Sequence, residues 1–320
     1  MDPLAEYSEC RLCPRDCRAV RQAGRRGICG ETAELRYANA CAHFGEEPCL
    51  SGTRGSGTIF FSGCSCRCFF CQNYQISREG LGEARTPDQL FADAMALVGQ
   101  GVHNLNFVTP DHFEPHVRQL CGRLREAGVT LPFVWNGSGY HLPRLVSRWA
   151  EYINIFLPDF KFAEPELARR CMDDADYPRL ALESLRRMVR ERGFLKPWDS
   201  DGQTVAERGV MVRHLVLPGE VGNSLKVVEL LHAEFGSDLP LSVMSQFHPV
   251  PACHELGCLN RPVAADEYRR VCDRVLDLGF HQVFLQPESG DTAFLPNFSH
   301  EQPFAGNRRQ PGGNTAQGDL

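Results

Sequence analysis

The residues best suited to chemistry in this chain are cysteines, and two groups of them stand out. The run GCSCRCFFCQN (63–73) holds Cys64, Cys66, Cys68 and Cys71 within eight positions. Thiolates bind zinc and iron–sulfur clusters, and a C-x2-C pair alone occurs in both as well as in redox dithiols. The C-x3-C-x2-C spacing of Cys64, Cys68 and Cys71 lets a loop wrap three thiolates around a cubane and leave one iron open, whereas zinc usually takes a fourth ligand.

The second group lies near the N-terminus and consists of Cys10, Cys13, Cys17 and Cys29, which we call the N-terminal quartet. Four thiolates complete either a tetrahedral zinc site or an all-cysteine iron–sulfur cluster, and the spacing does not decide between the two. We expect a second metal site here, structural or electron-relaying. Four unligated cysteines are the alternative.

Composition narrows the class of protein. The chain has 320 residues, 42% of them apolar and 23% charged, and a net charge of -6, as in globular proteins with one large domain and an appendage. The first residues have no basic region followed by an apolar stretch, and no apolar run approaches the roughly eighteen residues of a spanning helix, so we expect a cytoplasmic protein without membrane contact. Fifteen cysteines in such a chain favour metal ligation over a disulfide framework.

Charge gives little sign of a nucleic-acid partner, because an acidic protein does not attract phosphate backbones in general. A local basic patch lies near the N-terminus, and we interpret it as a solvated face: Arg11, Arg15, Arg18, Arg21, Arg25 and Arg26. Glu46 and Glu47 are likewise interpreted as surface charges, with an acidic pair at a site as the alternative.

The elements that would position these residues alternate between short strands and amphipathic helices, a pattern that predicts a parallel α/β fold. The strands are TIFFSG (58–63), NLNFVT (104–109), LPFVW (131–135), INIFLP (153–158), GVMVRHLVLP (209–218) and LSVMSQF (241–247), with HQVFL (281–285) as a further candidate. Thr86 and Gln89 form a capping box that predicts the first helix, and Cys121 and Cys272 are predicted to pack on later helices.

Six such units predict a partial (β/α)6 barrel, in which chemistry takes place at the carboxyl ends of the strands. The cysteine run 63–73 follows the first strand directly, so we expect it at the barrel mouth. The predicted organisation is a cysteine-rich N-terminal extension (1–54), the barrel (55–288) and a tail (289–320) rich in Pro, Gly, Asn and Gln that wraps or stays disordered.

In this setting the cysteine run resembles the cluster loop of the radical S-adenosylmethionine (SAM) superfamily. The pattern C-x3-C-x2-C-x-N, ending at Asn73, is similar to that of the glycyl-radical-enzyme activases, such as the pyruvate formate-lyase-activating enzyme. An uncharacterised activase-like family carries blocks similar to GEEPCLSG, GSGTIFFSGC, CQNYQIS, RHLVLPG and MSQF in this order. The resemblance covers roughly residues 8–287.

The resemblance implies a [4Fe-4S] cluster on Cys64, Cys68 and Cys71, with Cys66 a bystander, and reductive cleavage of SAM to a 5'-deoxyadenosyl radical. It also implies the residues that hold the cofactor, which are Phe70 near the adenine, Asn136 and Ser138 in a polar turn, Asp159 toward the ribose or a cation, Lys161 toward the carboxylate, and His248 at the ribose. Without the resemblance, Asp159 and Lys161 would be interpreted as a solvated ion pair.

One part of the superfamily pattern is missing. The Gly-Gly-Glu block that follows the second strand and holds the methionine amine is replaced by VTPDH (108–112). Thr109 and Asp111 are candidate substitutes, and His112 is a candidate for facing the substrate. Arg213 is expected either to contact the cofactor or to pair inside the barrel.

We therefore expect a radical SAM enzyme, and more finely one that activates a glycyl radical enzyme. A radical reaction on a small molecule or peptide is an alternative, and a non-catalytic zinc or iron–sulfur scaffold is another. The implied partners are a reductant protein such as flavodoxin or ferredoxin and a protein substrate.

Overall fold

Parallel strands with helices packed against them form the core of the computed structural model, which describes residues 4–287 and 295–304. The strands are β1 (Arg36–His43), β2 (Ser56–Phe61), β3 (Glu83–Ala84), β4 (Leu105–Val108), β5 (Phe133–Gly137), β6 (Ile155–Pro158), β7 (Gly209–Val210), β8 (Val212–Leu215), β9 (Leu241–Met244) and β10 (Val283–Leu285). The α-helices are α1 (Pro48–Ser51), α2 (Tyr74–Ser77), α3 (Pro87–Gly99), α4 (Glu114–Glu126), α5 (Pro143–Trp149), α6 (Pro165–Met172), α7 (Tyr177–Arg192), α8 (Val221–Phe235), α9 (Pro251–Leu256) and α10 (Ala265–Asp277).

The strand order confirms the predicted partial barrel. Strands β2, β4, β5, β6 and β7 pair in parallel in chain order, and β8, β9 and β10 continue in parallel as a second sheet. A bridge between Asp159 and Arg213 joins the two sheets. The predicted fifth strand is interrupted at Met211, whose N–H binds Phe156 O at 3.1 Å, and so it forms both β7 and β8. The further strand candidate at 281–285 is present as β10.

Strand β1 was not predicted, and it extends the barrel sheet. It runs antiparallel to β2, with Cys41 opposite Thr58 and His43 opposite Ser56, and β3 pairs with its other side. The segment that carries β1 falls within the predicted N-terminal extension, so the extension and the barrel share one sheet. The boundaries 1–54, 55–288 and 289–320 stay a prediction.

The helices that cover the sheet lie where the spacing of apolar residues in the sequence predicts them. At the start of α3, Thr86 Oγ1 accepts a hydrogen bond from Gln89 N at 3.1 Å, and Gln89 Oε1 accepts one from Thr86 N at 2.8 Å, which confirms the capping box. Cys121 on α4 is fully buried, and Cys272 on α10 is partly buried against the core, so both are packing residues. No helix in the described part of the chain is long and apolar enough to cross a membrane.

The first 35 residues fold differently from the barrel. The described part of this stretch contains only two three-residue 3-10 turns, at Ala5–Tyr7 and Arg21–Ala23. The interpretation of its arginines as a solvated face is wrong for two of them, because Arg21 is 1% exposed and the Arg15 side chain is 10% exposed. Their guanidinium groups bind backbone carbonyl oxygens, those of Thr32 and His112 for Arg21 and those of Ser65 and Cys66 for Arg15.

Part of the predicted tail packs on the cavity side of β1 and β2, where His43, Phe60 and Phe304 line the cavity described below. The Phe298 ring lies 5.2 Å from that of Phe60, and the Phe304 ring lies 4.3 Å from that of His43. Asn39 Nδ2 also donates to Glu301 O at 2.9 Å. Residues 295–304 therefore wrap, while the remainder of the predicted tail lies outside the described residues.

Candidate active site

A cavity of about 450 Å³ opens where the parallel strands end at their carboxyl sides. It is lined by all the residues implied to bind cluster or cofactor in the barrel except His248: Cys64, Cys68, Cys71, Phe70, Asn136, Ser138, Asp159 and Lys161. His248 follows β9 and is partly buried, outside the set that lines the cavity. The eight residues named above, which are spread over about a hundred positions of the chain, thus meet in one place.

The cysteine run 63–73, which we call the cluster loop, presents four thiols to this cavity. Cys64, Cys66 and Cys68 are buried and Cys71 is partly buried. Cys66 Sγ lies 3.5 Å from Cys68 Sγ and 3.4 Å from Met172 Sδ. The contact with Cys66, helped by the Lys161 ammonium, lowers the pKa of Cys68, whereas the same contact and burial raise the pKa of Cys66. The two sulfur atoms are thus in contact, and their pKa values are shifted in opposite directions.

The donor set fits a [4Fe-4S] cluster. Cys64, Cys68 and Cys71 supply three thiols on one short loop, and burial followed by the charges of the other two raises the pKa of Cys64 to about 12. Metal ligation removes this penalty because a bound thiol is deprotonated outright. Among the described residues, no three histidine, cysteine or acidic side chains are arranged to hold a single metal ion. Three thiols on one short loop would hold a cubane by three of its irons and leave the fourth open.

An ion pair between Asp159 and Lys161 follows β6, with side chains 26% and 18% exposed. Burial alone would lower the pKa of Lys161, but Asp159 and then Cys68 outweigh burial, and the pKa lies well above its ordinary value. Lys161 thus keeps its charge inside the cavity. The pair is shielded, so the solvated ion pair considered above does not describe it.

Tyr177, a residue missed at the sequence level, holds the two polar turns together. Its hydroxyl accepts a hydrogen bond from Lys161 N at 2.9 Å and donates one to Ser138 O at 2.9 Å. It is fully buried at the start of α7. Gly139 lies between these turns with φ +77°, and a Cβ there would collide with Asp159 O and lie 2.9 Å from Tyr177 Oη. No local pattern marks Tyr177, because its partners come from two other loops.

Aromatic rings surround Phe70 on the side of the cavity where the resemblance places the adenine. The ring of Phe70 lies 6.2 Å from that of Phe162 and 6.1 Å from that of Phe247. Gln72 Nε2 donates to Gln246 O at 2.6 Å, which ties the cluster loop to the segment after β9. Strand ends on opposite sides of the barrel therefore support the same loop.

The interpretation of Glu46 and Glu47 as surface charges is wrong. Their side chains are 7% and 8% exposed, and both form ion pairs with Arg213, whose Nε donates to Glu47 Oε1 at 2.8 Å. Asn106 Nδ2 donates to Glu46 Oε1 at 2.8 Å. Burial alone would raise the pKa of Glu47, but Arg213 outweighs burial and the pKa lies below its ordinary value. Arg213 pairs inside the barrel, and Asn106 was detectable as a polar residue within an apolar strand.

Of the candidates in VTPDH, only Thr109 lines the cavity. Its φ is +54°, and its N–H binds Asn136 O at 2.8 Å. Asp111 instead forms a buried pair with His141, and His112 Nε2 lies 2.6 Å from Ser62 O. The candidate role of His112 in facing the substrate is therefore not supported by its position.

The N-terminal quartet lies behind the cluster loop. Cys10, Cys13 and Cys29 are buried and Cys17 is partly exposed. Gly63 has φ +79°, and a Cβ there would lie 2.7 Å from Cys29 O, so a glycine is needed where the cluster loop passes the extension. A second metal site at the quartet stays a prediction.

One comparison with known proteins identifies a superfamily, and others find more distant similarity. A family model described as the radical SAM superfamily matches residues 58–230. An uncharacterized protein of Methanocaldococcus jannaschii is 24% identical over 274 residues, which make up 83% of this chain and 74% of that protein. The crystal structure of methylornithine synthase is similar with a TM-score of 0.44 and 16% identity over 73% of each chain. A mutant of spore photoproduct lyase is similar with a TM-score of 0.43 and 12% identity, over 71% of this chain and 75% of that one.

Proposed function

This chain belongs to the radical SAM superfamily, whose members use a [4Fe-4S] cluster and SAM, and we propose that this radical SAM enzyme activates a glycyl radical enzyme. When bound, the cluster and SAM together supply a 5'-deoxyadenosyl radical that abstracts hydrogen. The motif C-x3-C-x2-C-x-N of the cluster loop and the Asp159-x-Lys161 pattern, both similar to those of the activases, support this finer assignment.

One observation carries the proposal, namely that the three thiols of the motif and the Asp159–Lys161 pair line the same cavity. In it, Cys64, Cys68 and Cys71 would hold the cluster. Lys161, charged and held by Asp159, would bind the cofactor carboxylate, and Asn136 and Ser138 would offer polar atoms beside it. Phe70 and its aromatic neighbours would exclude water from the adenine side.

The size of the cavity supports a macromolecular substrate. About 450 Å³ lies in the lower half of the range of pockets that hold one small molecule, roughly 300–1,000 Å³. Once the cofactor is bound, little of this volume remains for a second small molecule. A loop of a protein substrate entering from the mouth needs less enclosed space. We also propose a flavodoxin or ferredoxin as reductant, and a cytoplasmic location because thiol-ligated clusters need a reducing compartment.

The ligand assignment is tested by comparing Cys66→Ala with Cys68→Ala. Both variants are reconstituted anaerobically with iron and sulfide, and iron content and 5'-deoxyadenosine formation with a strong reductant are measured. We expect Cys66→Ala to keep its cluster and activity, because the proposed ligands Cys64, Cys68 and Cys71 all remain, and Cys68→Ala to lose both. An inactive, iron-free Cys66→Ala beside an active Cys68→Ala would overturn the assignment.

The substrate class needs a separate experiment. The reconstituted enzyme is incubated with SAM, reductant and a glycyl radical enzyme encoded in the same genome, and the partner is examined by electron paramagnetic resonance for a glycyl radical. A radical signal that depends on Cys68 supports the proposal. SAM cleavage without any such signal would favour a small-molecule or peptide substrate, and no cleavage at all would favour a non-catalytic scaffold.

A further inference from the structure

The first 35 residues have a small apolar core of their own and are otherwise held by polar contacts with the barrel, such as the ion pairs of Glu6 with Arg118 and Arg148. Their apolar cluster consists of Tyr7, Cys10 and Leu12, with Leu4, Cys17 and Ala33 packed against it. In addition, Asp16 and Arg18 on either side of Cys17 have φ of +38° and +52°, a strained region for residues with a Cβ. Segments of this size with so little core usually depend on a metal or disulfides. The cysteines here are free, so no disulfide supplies that support.

Two thiols of the N-terminal quartet face one glycine of this segment. A Cβ placed on Gly27 would lie 3.2 Å from Cys29 Sγ and 3.3 Å from Cys17 Sγ. The backbone of Cys10 is fixed close to Cys17 in the chain, because its N–H donates to Ala19 O at 3.1 Å and its carbonyl accepts from Arg18 N at 3.0 Å. Cys10, Cys13 and Cys29 are buried in the same irregular segment.

A buried cation lies beside one of these thiols. Arg21 is 1% exposed, and its guanidinium donates to Thr32 O from Nε at 3.1 Å and from Nη2 at 2.7 Å, and to His112 O from Nη1 at 2.5 Å, while among the described residues no carboxylate forms an ion pair with it. Its Nη1 lies 3.6 Å from Cys10 Sγ, and the guanidinium stacks 4.4 Å from the centre of the Tyr7 ring. A guanidinium cannot be deprotonated in a protein, and a buried charge is costly without a partner of opposite sign. Metal-bound thiolates of the quartet would supply that partner.

The quartet also touches the cluster loop directly. Cys64 N donates a hydrogen bond to Cys29 O at 3.1 Å, so a member of the quartet binds the first predicted cluster ligand. Arg15, between Cys13 and Cys17, donates from Nε to Ser65 O at 3.0 Å and from Nη2 to Cys66 O at 3.3 Å. Two sets of hydrogen bonds therefore join the cysteine groups.

We propose that the N-terminal quartet binds an iron–sulfur cluster that passes electrons to the cluster on Cys64, Cys68 and Cys71, an inference that rests on the proposed function of the cluster loop. An iron–sulfur cluster suits the quartet better than zinc, because zinc has no redox chemistry and the quartet is joined by hydrogen bonds to the loop of the proposed barrel cluster.

Each step of the proposed relay transfers one electron. A one-electron donor protein of the flavodoxin or ferredoxin class is oxidised by one electron, and the quartet cluster is reduced by it. The quartet cluster then returns to its oxidised state as the same electron reduces the cluster in the barrel. The barrel cluster then passes that electron to SAM, and the bond between the sulfonium sulfur and the 5' carbon breaks to give methionine and the 5'-deoxyadenosyl radical. Both clusters are therefore back in their oxidised state after each turnover.

Metal analysis tests the existence and the type of the second centre. The full chain and its Cys64, Cys68 and Cys71 triple-alanine variant are reconstituted anaerobically, and iron, sulfide and zinc are measured. We expect about four iron atoms per chain to remain in the triple variant. Stoichiometric zinc without iron, or no metal, would overturn the inference. Iron equal to that of the unmodified chain would instead refute the ligand assignment in the barrel, so the two failures are distinguishable.

The relay is tested by magnetic coupling and by rate. In fully reduced unmodified protein, two neighbouring paramagnetic clusters should split or broaden each other's electron paramagnetic resonance signal, and this effect should be lost in the triple variant. Unperturbed signals would contradict the adjacency. Cys17→Ser should slow reduction of the barrel cluster by reduced flavodoxin, while the control Cys272→Ser, a partly buried cysteine on α10, should not. Equal rates in both variants would rule out the relay.

Discussion

Lys161 brings a positive charge into the cavity, a role that the composition of the chain alone does not reveal. It is one of three lysines among 34 basic residues, and its ammonium is held inside the cavity by Asp159. We expect Asp159→Ala and Lys161→Ala each to weaken SAM binding by about 1–3 kcal/mol, because charge-assisted hydrogen bonds in a shielded site would be lost. Equilibrium binding to the cluster-loaded protein measures this effect, with iron content unchanged.

Lys226→Ala is the matched control for that prediction. Lys226 forms an ion pair with Glu164, but its side chain is 61% exposed and lies outside the cavity lining. Its loss should leave SAM affinity unchanged. Unaltered affinity in the Asp159 and Lys161 variants as well would mean that the pair is structural only.

Arg213 compensates two buried carboxylates, and removing it should destabilise the fold. Arg213→Met would leave Glu46 and Glu47 buried without a cation, at a cost of about 3–5 kcal/mol. Thermal unfolding of the metal-free chain measures this loss. Arg186→Met, which breaks the exposed pair with Glu234, should change little and serves as the control.

The same variant should invert the pH dependence of stability. In the unmodified chain the pKa of Glu47 is lowered, so its contribution is present above the ordinary pKa of about 4.3 and is lost only as the pH falls through the lower folded value. Without Arg213, burial would raise the pKa of Glu47, and stability should then fall as the pH rises above the ordinary pKa of about 4.3. Parallel pH profiles for both proteins would contradict this account.

At the scale of elements, the turns after β5 and β6 interlock through one glycine. Gly139→Ala places a methyl group against Asp159 O at a positive φ, so we expect displaced turns, weaker SAM binding and a lower unfolding temperature. Gly122→Ala on α4 has open space around the new methyl group and should stabilise the protein by up to about 1 kcal/mol. If both variants behaved alike, the close approach at Gly139 would be unimportant.

Elements with strong local signals were predictable and elements defined by distant partners were not. Runs such as TIFF and the capping box at Thr86 carry their own preference, and the structure confirms them. Strand β1 was missed because RYANACAH contains three alanines and little β preference, so its pairing with β2 decides its conformation. Glu46 and Glu47 were misjudged because their partner Arg213 lies more than 160 positions away.

At the scale of the whole molecule, strand β1 of the extension covers the edge of the barrel sheet at β2. Deleting residues 1–54 removes β1 and exposes the hydrogen-bonding edge of β2, so we expect an insoluble chain. Deleting only residues 1–34 keeps β1 and should give a soluble protein that lacks the second centre. The soluble fraction after expression checks both forms, and a soluble chain starting at residue 55 would contradict the prediction.

The hydrogen bond from Cys64 N to Cys29 O leads to an expectation about the order of cofactor loading. Because the extension holds the backbone of Cys64, we expect the cluster loop to reach its final shape only after residues 10–29 have folded. The proposed N-terminal cluster should therefore be inserted first and the proposed barrel cluster second. Pulse-loading the metal-free protein with limiting iron and sulfide should populate the quartet ahead of the barrel.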